Sequence, residues 1–119
     1  MIKVYQIQLT DAEINAINSG EESEKFTAYF GRSFERTFKP EFFQYYTHVA
    51  NVDTNDMEEA FQLMNLWEDE SKVEKLGPCS SMSVGDILVL ECGWIYRCAS
   101  FGFAPITAWH FLRICYYKV

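Results

Sequence analysis

Residues 83–100, SVGDILVLECGWIYRCAS, restrict the possible folds more than any other stretch of the chain. Two runs rich in β-branched and aromatic residues flank Cys92-Gly93, which is the pattern of a β-hairpin. Gly93 supplies the positive φ that a tight hairpin turn requires. A turn at Cys92-Gly93 sets Glu91 opposite Trp94 and Val89 opposite Tyr96. One face then carries Ile87, Val89, Tyr96 and Cys98, and the other Leu88, Leu90, Ile95 and Arg97. Both faces are mostly apolar, so this hairpin belongs inside a sheet that is covered on both sides.

The chain has the material for such covering. Its 119 residues fit one domain, and a domain of this size buries roughly two thirds of the surface its unfolded chain exposes. Ten Phe, seven Tyr and three Trp supply large apolar side chains for the layers. The same aromatic excess is compatible with a homo-oligomer.

The rest of the pattern supplies strands and helices. IKVYQIQL (2–9) reads as a strand. Thr10 and Glu13 form a capping box for a short helix over 10–18, which Ser19-Gly20 ends and which turns Ile14 and Ile17 to the core. EESEK (21–25) reads as a solvated loop, and residues 26–46 fit neither period. YYTHVANVD (45–53) is a second strand, with Tyr45, Thr47, Val49 and Asn51 alternating against Tyr46, His48, Ala50 and Val52. NDMEEAFQLMNLWED (55–69) is the main amphipathic helix, capped by Asn55, with Met57, Ala60, Phe61, Met64 and Trp67 on its apolar face. KVEKLGPCSS is a connector, and WHFLRICYYKV (109–119) a last strand. The expected fold is a single α+β domain over 1–119. Its mostly antiparallel sheet of about five strands packs with one main helix and one short helix.

Residues able to do chemistry have structural readings as well. Ser80, Ser81 and Ser83 lack a nucleophile-elbow context and suit a turn, and Asp86 after Gly85 suits a turn acceptor. Cys98 reads as a buried hydrophobe and Cys92 as a turn residue. Neither Cys-x-x-Cys nor His-x-x-x-His occurs, so no metal or cofactor is expected. An enzyme built on Asp86, or on a cysteine with His48, stays a minor alternative; a Cys115–His110 pair has only assumed contact behind it. Met1 leads directly into an alternating segment, and no run approaches the length of a membrane span. A soluble, cytoplasmic protein with free thiols and no membrane partner is expected.

Charge is unevenly distributed. From Asp53 to Glu74, eight acids face only Lys72, a net −7 that equals the formal charge of the whole chain. Asp56, Glu58, Glu59, Asp69, Glu70 and Glu74 are either a solvated face or a surface presented to a basic protein partner. Against them stands a basic and aromatic segment, 25–39, with Arg32, Phe34, Arg36, Phe38 and Lys39. Cations beside rings suit single-stranded nucleic acid, although the overall charge opposes backbone phosphate.

One resemblance runs through these segments. VANVDTNDMEEAFQLMNLWED, GPCSSMSVGD, MSVGDILVL and YRCASFGF together resemble small accessory proteins of phages and mobile elements that carry a YodL-like domain, over roughly 45–106. The matching positions are Ser81, Ser83, Val84, Asp86, Tyr96, Gly102 and Phe103. The resemblance implies a phage-encoded protein without assigned catalytic residues, acting in the host cytoplasm on a host protein in takeover or counter-defence. At its limit such an acidic surface imitates DNA. A weaker likeness links SVGDILVL to β-barrel RNA-binding domains of the PUA/ASCH kind.

Overall fold

Ile2–Ile7 (β1) is the strand around which the chain is arranged. The computed structural model describes residues 1–32 and 39–106. After β1 come two helices, α1 (Asp11–Asn18) and α2 (Glu24–Gly31), and a 3-10 turn at Pro40–Tyr45. Then follow β2 (Tyr46–Val52), α3 (Met57–Leu66), a 3-10 turn at Glu70–Lys72, and β3 (Val73–Lys75). A connector leads to β4 (Ile87–Val89), β5 (Ile95–Cys98) and β6 (Phe103–Pro105). The six strands form one antiparallel sheet in the order β3-β2-β1-β4-β5-β6. The architecture is α+β, with six strands among the described residues rather than about five. The extra ones are β3, inside the expected connector, and β6; the expected strand 109–119 lies outside the described residues.

Each helix begins where a polar side chain can accept a first-turn N–H. Thr10 and Glu13 form the reciprocal box, with the Glu13 N–H donating to Thr10 Oγ1 at 3.1 Å and the Thr10 N–H to Glu13 Oε1 at 2.9 Å. Ser23 Oγ accepts from the Phe26 N–H at 3.2 Å and starts α2 inside the segment expected to be loop. Lys25 then pairs with Glu13 at 2.9 Å, tying α2 to α1. Asp56, not Asn55, caps α3, and its carboxylate accepts from the Glu58 N–H at 2.9 Å. Asn55 accepts instead from the N-terminal ammonium at 3.0 Å. Trp67, in the left-handed region at φ 55, ends the helix.

Each face of the sheet has its own core. Ile2, Val4, Val52, Val73, Leu88 and Cys98 pack under Ala60 and Met64 of α3. On the opposite face Ile7, Ile87 and Ile95 pack with Ala28 of α2 and with Phe42, Phe43 and Tyr46. Complete burial of a side chain such as Met64 contributes roughly 1.5–3 kcal/mol. α1 adds little: it has no buried residue, and Ile14 is 43 % exposed, contrary to its expected inward position.

Two strand details depart from simple alternation. The hairpin pairs Val89 with Ile95, Leu88 with Tyr96 and Ile87 with Arg97. Its loop is three residues long, Glu91 to Gly93, closed by Leu90 N–H to Trp94 O and Gly93 N–H to Leu90 O, both at 2.9 Å. With Gly93 at φ +98, this is the type I turn plus bulge that three-residue hairpins favour. The register therefore differs by one residue from a two-residue turn, and that slip exchanges the faces of β5. Tyr96 and Cys98 lie on the side of Leu88, Ile95 and Arg97 on the side of Ile87. In β2 the pairing shifts opposite Val4/Tyr5, so Val49 and Ala50 are both buried.

Candidate functional site

Helix α3 covers one core with Ala60 and Met64 and leaves Glu58, Gln62 and Leu66 outermost, as a 3.6-residue period requires. Asp56, Glu58, Asp69 and Glu70 are exposed and Glu59 is half-buried. The Lys72 ammonium stands 3.7 Å from Glu59, and the Asp53 N–H donates to Lys72 O at 2.8 Å. The second 3-10 turn is therefore held beside the first turn of α3.

Several of these acids have local work. Asp56 caps α3, and Asp69 accepts from the Ser71 N–H at 3.2 Å. Glu74 departs from the group: it pairs with Asn51 in the β3 register, opposite in parity to the buried Val73, and so points to the sheet face away from α3. There it accepts from Asn51 Nδ2 at 2.7 Å. Of the six, only the side chains of Glu58 and Glu70 have no hydrogen-bond or ion-pair partner among the described residues.

The basic segment is less available. Arg32 folds back over the Tyr29 ring at 3.9 Å and donates to the Tyr29 carbonyl. Its own carbonyl accepts from Arg97 at 3.4 Å, and the residue is half-buried. Lys39 is exposed, 5.7 Å over the Phe42 ring. Phe34, Arg36 and Phe38 lie outside the described residues.

The residues proposed for chemistry turn inward. Asp86 is 3 % exposed. Its Oδ2 accepts from the Ser83 N–H at 3.0 Å, the turn role its sequence suggested, and from Gln6 Nε2 at 2.9 Å. Burial raises its carboxyl from the ordinary 3.8 to about 6, against the opposing influence of the Ser83 and Gln6 hydrogen bonds and of the Arg32 charge. Cys98 is equally buried, and burial, with the neighbouring Asp86 charge, pushes its thiol up to about 11. It is therefore a neutral thiol at neutral pH, not a nucleophile.

Cys98 and His48 are not brought together. Cys98 shares the Val4 face, whereas His48 pairs with Tyr5 on the other, stacked on its ring at 4.9 Å and bonded to Asn51 at 2.8 Å. Ser80 Oγ and the Ser80 N–H both donate to Gln6 Oε1, so Ser80 meets an amide rather than a base. Among the described residues no group of three or more His, Cys, Asp or Glu could hold a metal ion. No helix there is long and apolar enough to cross a membrane. An open groove of about 530 Å³ between the start of α1 and residues 76–78 includes His48 in its wall, but neither Asp86 nor a cysteine.

Gln6 is the residue that sequence reasoning missed. The available signal was its parity: it follows Ile2 and Val4 on the buried side of β1, where a polar residue requires a partner. The chain matches no protein-family model, no curated protein and no solved structure.

Proposed function

We propose that this is a non-enzymatic binding protein whose target is a host protein, and that the α3 side of the sheet is its contact surface. One observation carries the reading: Asp56, Glu58, Glu59, Asp69 and Glu70 project from α3 and the adjoining turn, while the only cation from 53 to 74, Lys72, is tied to Glu59. These carboxylates outnumber the cations beside them, which are Lys72, Lys75 over the Trp67 ring and the N-terminal ammonium at Asn55, and an excess of that sign favours a basic partner surface and speeds its approach. The inward orientation of Asp86 and Cys98 supports a binding role over a catalytic one. The resemblance to YodL-like accessory proteins of phages and mobile elements supports a host-directed role, in takeover or counter-defence.

The test is affinity capture from host lysate, with nuclease, comparing the wild-type chain with a variant carrying Glu58→Lys, Glu59→Lys, Asp69→Lys and Glu70→Lys. Retention of a protein by the wild type and its loss by the folded variant support the surface. Equal capture by both removes α3 from the proposal. Partners that disappear with nuclease favour the alternative, a nucleic-acid-binding module using segment 25–39.

A further inference from the structure

The outer edge of β2 is covered along only part of its length. Where β3 runs beside it the ladder is closed, from the Asp53 N–H on Lys72 O at 2.8 Å to the Leu76 N–H on Val49 O at 2.9 Å. The chain then turns away through Gly77-Pro78, and a proline has no N–H to offer a neighbouring strand.

The backbone of His48 faces the space left there. Leu90 N–H to Trp94 O and Cys98 N–H to Asp86 O set Leu88 toward β5, and so Ile87 and Val89 toward β1. Tyr5 and Lys3 meet those two residues, so Gln6 turns its peptide groups to β2, where it pairs with Thr47. His48 follows Thr47, and its N–H and C=O therefore point away from β1, to the outer edge. Among the described residues neither group has a hydrogen-bond partner. The His48 ring does not block the edge, because it stacks on Tyr5 of β1 at 4.9 Å.

This edge borders the open groove of about 530 Å³, which passes Thr47, His48 and Val49 between Asp11 of α1 and Leu76–Pro78; no residue of α3 lines it. A donor and an acceptor on one strand residue are satisfied together by a second extended chain, which carries both groups at ladder spacing. The charges beside the groove select among such chains. Asp11 is exposed and has no ion-pair partner among the described residues, and the exposed Glu74 stands two residues before Leu76. The cations of the same region are engaged, Lys25 with Glu13 at 2.9 Å and Lys75 over the Trp67 ring at 4.4 Å.

We propose that the outer edge of β2 at His48 is a docking site for an extended peptide segment carrying Lys or Arg, which joins the sheet in the line that β3 leaves. The segment's C=O accepts from the His48 N–H, its N–H donates to the His48 C=O, and its cation lies beside Asp11.

The test uses the full chain, isotope-labelled for NMR, and three end-blocked heptapeptide probes. One alternates Val and Lys, the second has Glu for each Lys, and the third is the Lys peptide with its backbone N-methylated. The Lys peptide is expected to shift the amide signals of Thr47, His48 and Gly77 saturably and to slow exchange of the His48 amide about 10-fold. The Glu peptide binds more weakly by about 2- to 5-fold or more, the contribution of one exposed ion pair. Asp11→Asn, which leaves the Thr10–Glu13 capping box intact, weakens the Lys peptide by a similar factor, and the N-methylated peptide does not bind. Absence of a saturable shift at His48 overturns the proposal, as does equal binding of the N-methylated peptide or binding unchanged by Asp11→Asn. Protection of the His48 amide that rises with protein concentration, with no peptide added, overturns it in favour of a second copy of the chain at this edge.

Discussion

Gln6 and Asp86, eighty residues apart in sequence, meet through a 2.9 Å hydrogen bond beneath the connector, with both side chains at most 3 % exposed. Gln6→Leu would keep the bulk and remove every bond the amide makes. The backbone N–H and carbonyl of Ser80 would lose the amide that bonds them, and Asp86 one of its two donors. The expected loss is about 2–4 kcal/mol, since each buried group left unsatisfied costs roughly 1–3 kcal/mol. Urea unfolding at fixed pH measures it, and a change below about 0.5 kcal/mol would show that water replaces the amide freely.

Gln6→Glu asks a sharper question at the same place. Two carboxyl groups at hydrogen-bond distance share a proton, so the pair binds one more tightly when folded than when unfolded. Stability from that proton is fully present below the unfolded carboxyl range and is lost as pH rises through the raised value of the pair. The variant is expected to approach wild-type stability near pH 4 and to fall well below it by pH 8. Urea midpoints at the two values are the readout; parallel curves for variant and wild type would mean that the side chains have separated.

The glycines separate conformational from steric demand. Gly93 has φ +98 and open space around an added Cβ, so Gly93→Ala costs only the left-handed conformation, about 1–2 kcal/mol. Gly85 has φ +95, and a Cβ there would run into the carbonyl of Arg32. Gly85→Ala is expected to cost clearly more than Gly93→Ala and to loosen the segment after α2. Thermal unfolding of the two variants side by side tests the order; equal losses would put the Arg32 contact in doubt.

These positions show what was legible in the sequence and what was not. The α1 capping box could be read because both of its partners lie within four residues. The hairpin could be read from Gly93 and the flanking apolar runs. Its register could not, because a two-residue and a three-residue loop share the same glycine and differ only in which residue faces the core. β3 escaped because three residues, two of them charged, carry no period. α2 escaped because Ser23 and Glu24 read equally well as loop and as helix start. Asp86 was legible as a turn acceptor after Gly85, and the structure supplies its donor, the Ser83 N–H three residues away. Its burial was not, because that depends on Gln6 and on how the connector crosses β1. Among the acids, the helical period separated Glu58 from Met64, but only the β3 register shows that Glu74 faces the other side of the sheet.

Helix α3 offers a contrast between its two sides. Met64 is completely buried, and Met64→Ala is expected to cost about 2–5 kcal/mol. The side chains of Glu58 and Glu70 are exposed and have no partner among the described residues, so Glu58→Lys with Glu70→Lys should change stability by no more than about 0.5 kcal/mol. Matching urea curves for the double variant and the wild type would qualify charge reversal as a probe of binding. A large loss would reveal a structural role for the acids that their lack of partners does not suggest.

Thiol reactivity follows from burial. Cys92 sits exposed on the hairpin loop, Cys79 is half-buried, and Cys98 lies in the core with its thiol pushed up to about 11. The thiolate is the reactive form, so at pH 7 Cys98 is disfavoured twice, by access and by protonation. Iodoacetamide is expected to modify Cys92 first and Cys98 only after denaturant is added, with peptide mass spectrometry assigning the sites. Early modification of Cys98 in the folded protein would mean that the β5 end of the sheet opens readily. Because Cys98 O accepts from the Gly85 N–H at 2.8 Å, such opening would also release the end of the connector that Asp86 holds.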